Sequence, residues 1–263
     1  MANSKTSNAK KPEMRTLWLL LYFLCLYLAV NLMPFSWFFN NENVIFGCQI
    51  GLKTLLLAYF IWECLRKENR KNIGLAHLRG YSLIWVPLLL PCFSNLFYCS
   101  FFSGSFVVPS DITHVVLLLV DDLVVACMEE IIFRGLLFSF FCGCFQNKKK
   151  GPIYAILLSS PAFASLHLVN FLSSDPLAVL AQIGYSFVLG IILCAVYAGS
   201  QNLVLPILGH FLFNAFNDTL PSSFLVFSTE IPYLFWSLAF ALFGLLYAGI
   251  VFIVMQKRTA NVS

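Results

Sequence analysis

Apolar runs long enough to cross a lipid bilayer dominate this chain and limit its fold more than any other feature. A helix needs about 20 apolar residues to span the hydrocarbon core of a membrane. Charged residues make up 11% of the chain, whereas soluble domains carry roughly a quarter. We therefore expect an all-α, polytopic membrane protein with about eight transmembrane helices in one bundle. The predicted spans are residues 16–36, 44–65, 82–102, 112–133, 152–171, 176–198, 203–217 and 233–256.

The basic residues predict the orientation of these spans. If all eight cross the membrane, fourteen of the sixteen Lys and Arg residues lie on one side, and the loops on the other side contain none. Because basic loops remain in the cytoplasm, both termini are predicted to be cytoplasmic. Of the two others, Arg134 lies in an apolar run, and Lys53 is expected to snorkel or to face the bundle. The fourteen are Lys5, Lys10, Lys11, Arg15, Arg66, Lys67, Arg70, Lys71, Arg79, Lys148, Lys149, Lys150, Lys257 and Arg258.

The domain organisation is simple. Residues 1–15 are predicted to be a flexible polar tail, residues 16–256 one transmembrane domain, and residues 257–263 a cytoplasmic tail. The first span has a basic leader, but "NLMPFSW" offers no small-x-small cleavage site, so we expect the span to be retained. The nine cysteines are scattered and show neither a disulfide framework nor zinc-site spacing. The net charge of +4 gives no indication of nucleic-acid binding.

Three charges interrupt the apolar stretch "ACMEEIIFRGLLFSFF", residues 126–141. A charge at the centre of a membrane helix costs about 2.5–3.5 kcal/mol on insertion scales, so such residues are candidates for function. Glu130 and Arg134 are four residues apart and are expected to pair on one helix face. Glu129 then lacks a local partner, and an unpaired carboxylate in apolar surroundings is suited to act as a general base. The alternative is an ion pair that only holds helices together.

Two further polar clusters lie on later spans. In "PAFASLHLV" (161–169), Phe163 and His167 are one helical turn apart, and in "LPILGHFLFNAFND" (205–218), His210 and Asn214 have the same spacing. Taken alone, His167 can be a hydrogen-bonded packing residue, and His210 with Asn214 can form an interhelical hydrogen bond. The same pair can also provide two donors directed at one point.

The clusters are informative together. A carboxylate, two histidines and an asparagine on three separate spans can meet only in the interior of a bundle. They would provide a base that activates water and donors for an oxyanion, which are the components of water-mediated acyl hydrolysis. Asp121 and Asp122 lie about two turns before Glu129 and are expected at most to orient neighbouring helices or to line the same cavity.

These motifs resemble those of the CPBP family, which includes the type II CAAX prenyl proteases and bacterial Abi-type, bacteriocin-processing and immunity-related membrane proteins. The resemblance consists of Glu129-Glu130-x-x-x-Arg134, Phe163-x-x-x-His167 and His210-x-x-x-Asn214, in this order, together with "YSFVLGIILCAVYAGSQNLVLPILGHFLFNAF". It covers residues 120–217, which we take as a CPBP-like core.

The resemblance implies an eight-helix intramembrane endopeptidase that depends on glutamate. Glu129 would be the general base, and His167 would hold or polarise the attacking water. His210 and Asn214 would stabilise the oxyanion. The side chains of Glu130, Arg134 and Phe163 would support the site. Zinc bound by a glutamate and two histidines is an alternative, but H-E-x-x-H spacing is absent, so we expect a mechanism without a metal or other cofactor.

Two rivals follow from the same residues. A catalytically silent member of the family could act as a scaffold or regulator of another membrane protein, for example in immunity or envelope signalling. A small transporter with a proton-relay carboxylate is expected to show inverted repeats with broken helices, and none is found in the sequence. The expected partners are the lipid bilayer and a membrane-associated peptide or protein substrate. The short loops and the absence of retention signals favour a bacterial plasma membrane, in which a prenylated substrate is not expected.

The depth of the site raises a geometric difficulty. With these spans Glu129 and His210 lie near the cytoplasmic side, whereas His167 lies about 22 Å into its helix at 1.5 Å per residue. The three can meet only if the fifth helix begins well inside the cytoplasm or if the fourth helix runs deeper. The apolar run that continues to about residue 145 permits the second solution.

Overall fold

A computed structural model describes the parts of the chain that carry all three motifs. The described residues are 14–66, 89–92, 105–106, 111–219, 225–226, 242–247, 249–250 and 253. The predicted tails 1–15 and 257–263 lie almost entirely outside these residues, as do most of spans 82–102 and 233–256.

The described residues are almost entirely helical. A two-residue antiparallel pairing joins β1 (Ser105–Phe106) to β2 (Leu225–Val226). The described α-helices include α1 (Met14–Asn31), α2 (Glu42–Leu65), α3 (Ile112–Glu130), α4 (Ser139–Cys144), α5 (Gly151–Ser165), α6 (Pro176–Ser200) and α7 (Val204–Asn214), and residues 242–247 are also helical. Shorter helical pieces of other types are the 3₁₀ segments Phe35–Trp37 and Leu166–Leu172 and the π segments Ile131–Phe138 and Ala215–Thr219.

Side-chain caps mark where three of the helices begin. Asn41 accepts hydrogen bonds from the backbone N–H groups of Asn43 and Val44 at the start of α2. Asp111 accepts from His114 N–H before α3, and Asp175 accepts from Ala178 N–H before α6. These bonds satisfy backbone donors that have no partner within the helix. The cap residues therefore account for the boundaries near residues 42, 112 and 176.

The chain is a helical membrane protein. In the part of the chain that the structure describes, four helices are long and apolar enough to cross a bilayer: Met14–Asn31, Asn43–Leu65, Gly151–Leu172 and Pro176–Ser200. Many large apolar side chains on their surfaces are exposed, among them Trp18, Leu55 and Leu180. Lipid is the solvent that suits such a surface, because an exposed apolar patch of this extent is rare on soluble monomers.

The helix that carries Glu129 and Glu130 runs further than the span 112–133. Its helical conformation continues through Ile131–Phe138 and α4 to Cys144. The boundary at residue 133 was therefore wrong for the helix, because the apolar run that continues to about residue 145 belongs to the same helix. Glu129 lies 15 residues before Cys144, and His167 lies 16 residues after Gly151. Both are about 22–24 Å from the turn that joins their helices, so the geometric difficulty disappears.

The helices pack in an order that brings the motif-bearing segments together. In the main apolar core, Phe23 of α1 stacks on Phe60 of α2 with ring centroids 3.8 Å apart. Helices α5 and α6 approach closely at Gly190, where an added Cβ would lie 3.1 Å from Ser160 Cα. Small residues permit this approach, as is common between membrane helices. Helix α7 packs on both α3 and α6.

Candidate functional site

The two acidic residues of the first motif close helix α3 immediately before the π segment Ile131–Phe138. Glu129 is 3% exposed and Glu130 is fully buried. A buried carboxylate is stable only when charges and hydrogen bonds compensate for its lost hydration. The partners of these two side chains therefore define the site.

Glu130 joins two of the motifs. Its Oε1 accepts a hydrogen bond from Arg134 Nη1 at 2.6 Å, as predicted from their spacing. The same oxygen lies 2.8 Å from Nδ1 of His210 on α7. A carboxylate oxygen accepts only, so His210 Nδ1 carries the hydrogen in this contact. Glu130 thus sets the orientation of the His210 ring.

Glu129 has two different partners, one for each oxygen. Its Oε1 accepts a hydrogen bond from the hydroxyl of Tyr27 on α1 at 2.5 Å. Its Oε2 lies 3.7 Å from His210 Nε2, which is too long for a direct hydrogen bond. An oxygen atom to one side of this gap can contact both groups at ordinary hydrogen-bond distances. The carboxylate and the imidazole therefore face a common point.

Phe163 lies between the charged residues and the histidines. The Arg134 guanidinium carbon is 4.4 Å from the centre of its ring. The rings of His167 and His210 meet the Phe163 ring nearly edge-on, with centroids 5.8 and 5.5 Å away. A cation over an aromatic face is favourable. Phe163 therefore gives Arg134 and the two histidines a shared apolar support.

His167 and Asn214 border this centre without a direct bond to it. Both side chains are half-buried. The His167 ring is close enough to the Glu129 carboxylate and the His210 ring to interact electrostatically with both. Asn214 is the last residue of α7, one turn after His210. Neither side chain makes a hydrogen bond to another of the described residues.

The helical hydrogen-bond pattern changes at all three motifs. The π segment Ile131–Phe138 follows Glu130, the 3₁₀ segment Leu166–Leu172 contains His167, and the π segment Ala215–Thr219 follows Asn214. Such irregular turns inside helices are frequent at functional sites. Of the motif side chains, Arg134 and His167 lie within these irregular segments, so the change of twist sets their direction relative to the helix before them.

Several polar atoms at the centre remain unpaired. Among the residues described, Glu130 Oε2 and the Nε and Nη2 atoms of Arg134 are buried without a hydrogen-bond partner. Buried polar groups are usually satisfied, and unpaired ones in one place indicate a water or ligand position. The open atoms include one acceptor and two donors, which suits water or a polar substrate group.

The same residues are the candidate ligands for a metal ion. Within the described parts of the chain, no group of three or more His, Cys, Asp or Glu side chains is arranged to hold a metal ion. His210 has only Nε2 left for a metal, since Nδ1 bonds Glu130. A catalytic zinc needs three protein ligands, here Glu129, His167 and His210, and these three side chains are not grouped closely enough among the described residues to hold one ion. The donor set therefore does not fit zinc as it stands.

A second cluster of polar side chains lies about two turns before Glu129 on α3. Both oxygens of Asp121 are 2.9 Å from Nζ of Lys53 on α2, so Lys53 faces the bundle. The hydroxyl of Thr219 donates to Asp122 Oδ2 at 2.7 Å. These bonds connect α3 to α2 and to the segment after α7. They match the expectation that the two aspartates orient neighbouring helices.

Sequence reasoning missed Tyr27. A tyrosine within an apolar span is usually taken for an interfacial or packing residue, and its partner is 102 positions away. The one available signal is that Leu20, Phe23 and Tyr27 share a face of α1, which is the face that the structure buries.

Buried carboxylates and a histidine on helices of an apolar bundle are characteristic of a membrane-embedded enzyme. Residues 111–216 match the family model described as type II CAAX prenyl endopeptidase Rce1-like, and the matched segment contains all three motifs. The match supports the resemblance to the CPBP family of membrane proteases over residues 111–216. That family acts on peptide or protein substrates. No curated protein matches the chain.

Proposed function

We propose that the protein is an intramembrane endopeptidase that hydrolyses a peptide bond with a water molecule activated by Glu129. The observation that carries the proposal is the 3.7 Å separation of Glu129 Oε2 and His210 Nε2 in a buried interior. A water next to Glu129 Oε2 has a base beside it, and the carbonyl oxygen of a substrate attacked by this water can lie beside His210 Nε2. Such an arrangement is what general-base activation of water requires.

The reaction can be written with the groups at the site. Glu129 takes a proton from water while the water oxygen attacks the carbonyl carbon of the substrate. The carbonyl oxygen becomes an oxyanion, for which His210 Nε2–H and the amide of Asn214 are the proposed donors. Glu129 then gives the proton to the leaving nitrogen as the C–N bond breaks. The products are a free carboxylate and a free amine, and Glu129 is regenerated.

The charges around Glu130 favour this role for His210. Because Nδ1 carries a hydrogen that points at Glu130, Nε2 can donate only if the ring is an imidazolium. With His210 protonated, the two carboxylates are balanced by Arg134 and His210, and the buried group has no net charge. A neutral group of this kind is less costly to bury than one with an unpaired charge.

His167 and Asn214 have supporting geometry. His167 is near Glu129 and makes no hydrogen bond to another described residue, so we assign it to holding the attacking water. The position of Asn214 one turn after His210 favours a shared oxyanion site. In this scheme Glu130, Arg134 and Phe163 hold His210 in place.

The proposal includes a topology and a location. Eight spans with both termini in the cytoplasm put the turn at Lys148–Lys150 on the cytoplasmic side. The substrate would reach Glu129 from that side, at a depth of about 22 Å along the helix. We propose a bacterial plasma membrane and a membrane-associated peptide or protein substrate that does not require prenylation.

Cleavage assays with purified protein in lipid vesicles test the proposal. The probes are an internally quenched peptide with a farnesylated CAAX end and the same peptide without the lipid. We expect the wild type to cleave, and Glu129→Gln to lose activity by about 10²–10⁴-fold, the usual contribution of a general base. The matched control is Glu63→Gln, which changes a buried glutamate on a different helix, α2. This variant should retain activity.

Three outcomes would change the proposal. Full activity in Glu129→Gln would exclude this carboxylate as the base. If the wild type cleaves neither peptide and membrane proteomes of cells with wild type and Glu129→Gln are identical, the protein is a silent scaffold or regulator. Loss of activity with a chelator, and its recovery with zinc, would favour a metal-dependent reaction over the mechanism proposed.

A further inference from the structure

We infer that Tyr27 is a positioning residue for Glu129, a role that rests on the proposed function. Tyr27 belongs to α1, outside the residues 111–216 that match the family model. Its hydroxyl donates to Glu129 Oε1 at 2.5 Å, and the residue is 6% exposed. The site would thus include a helix that the three motifs do not contain.

Packing holds Tyr27 in place independently of this bond. Phe23, one turn earlier on the buried face of α1, stacks on Phe60 of α2 with an angle of 3° between the rings. One turn later, Asn31 Nδ2 donates to the carbonyl oxygen of Tyr27 at 2.8 Å. Helix α1 also packs against the π segment that follows Glu130. The hydroxyl is therefore brought to Glu129 by a rigid helix face.

The bond has a defined effect on the carboxylate. A glutamate side chain has three rotatable bonds, and a donor on one oxygen restricts the rotation of the carboxylate. With Oε1 held by Tyr27, Oε2 is the oxygen that faces His210 Nε2. A general base must be aligned with the proton that it removes, and small misplacements lower the rate.

The simpler alternative is that Tyr27 only fastens α1 to α3. The contact between Lys53 and Asp121 is of that kind, since both carboxylate oxygens are bonded to the lysine. Tyr27 engages one oxygen of Glu129 and leaves the other oxygen without a hydrogen bond among the described residues. A fastening role predicts lower stability without a specific effect on turnover.

Infrared difference spectroscopy of the purified protein tests the hydrogen bond without any substrate. The spectrum of wild type minus Glu129→Gln isolates the carboxylate band of Glu129. We expect Tyr27→Phe to shift the frequency of that band, because the substitution removes the hydroxyl that donates to Glu129 Oε1. The ring, and with it the packing of the side chain, is kept. The matched control is Tyr22→Phe on the same helix, whose side chain is exposed and whose ring contacts Tyr59. An unshifted band in Tyr27→Phe would overturn the inference.

Kinetics with the cleaved peptide probe test the positioning role. We expect Tyr27→Phe to lower kcat by about 10- to 100-fold, the range for one hydrogen bond to a charged group, with KM unchanged. Tyr22→Phe should match the wild type in both constants. If Tyr27→Phe retains the kcat of Tyr22→Phe while Glu129→Gln is inactive, the inference fails and the proposed function stands. If Glu129→Gln is active, the proposed function fails first.

Discussion

Two groups of charged side chains lie eight residues apart on α3, and they are built in opposite ways. At Asp121 both carboxylate oxygens bond the same ammonium group, and the ion pair is partly exposed. At Glu129 and Glu130 the side chains are buried, yet Glu130 Oε2 and two nitrogens of Arg134 have no partner within the described parts of the chain. The first arrangement is complete without a ligand, whereas the second has atoms left for one. We take this difference as the mark that separates a fastening contact from a site.

The largest stability effect is expected at the buried pair. Arg134→Met removes one charge from a fully buried ion pair and leaves Glu130 without its strongest partner. We expect a loss of about 3–5 kcal/mol in the free energy of unfolding, measured in micelles or bicelles.

The control for that variant is Glu130→Gln combined with Arg134→Met. It removes both charges, so much of the lost stability should return, although activity should not. Equal stability of the single and double variants would mean that the buried charges are not coupled.

A smaller loss is expected at the outer pair. Lys53→Met should cost about 1–2 kcal/mol, because the pair is partly exposed and interactions between membrane helices are modest. Peptide cleavage, corrected for the folded fraction, should equal that of the wild type. The combined variant Lys53→Met and Asp121→Leu should be at least as stable as the single one. A fall in kcat without a matching loss of stability would place this pair in the site. The two groups of charges would then no longer differ in function.

The smallest effect is expected where Thr219 bonds Asp122. Thr219→Val keeps the shape of the side chain and removes one half-buried hydrogen bond, so about 0.5–1 kcal/mol should be lost. Activity should be unchanged, and Thr219→Ser should restore stability in part. A loss of activity in Thr219→Val with normal stability would contradict the assignment of Asp122 to helix packing.

Several features could be predicted because local chemistry determines them. The pairing of Glu130 with Arg134 follows from helical spacing, and it is present. The order and length of the apolar runs indicated a helical membrane protein, and the three motifs indicated the family. The roles of Glu129, His167, His210 and Asn214 stay predictions until activity is measured.

Other features depend on contacts that hydropathy and spacing do not encode. The bond from Tyr27 to Glu129 joins positions 102 residues apart, so no local pattern signals it. The end of the fourth helix was misplaced because its charges are compensated by tertiary partners, which sequence alone does not show. The π and 3₁₀ turns were missed because they preserve the apolar pattern and change only which carbonyl each N–H group selects.

The π segment Ile131–Phe138 makes the fold depend on the number of residues between Glu130 and the turn at Lys148–Lys150. A wider turn holds a surplus residue that a regular α-helix would not need. Deleting that surplus residue would allow the helix to close regularly with little displacement, whereas deleting one residue from the regular helix before it would rotate everything after it by about 100° and shift it by 1.5 Å. Deletions from the regular helix α3 should therefore be far less tolerated than a single deletion within the π segment or in the loop at residues 145–150, even where every polar side chain is kept.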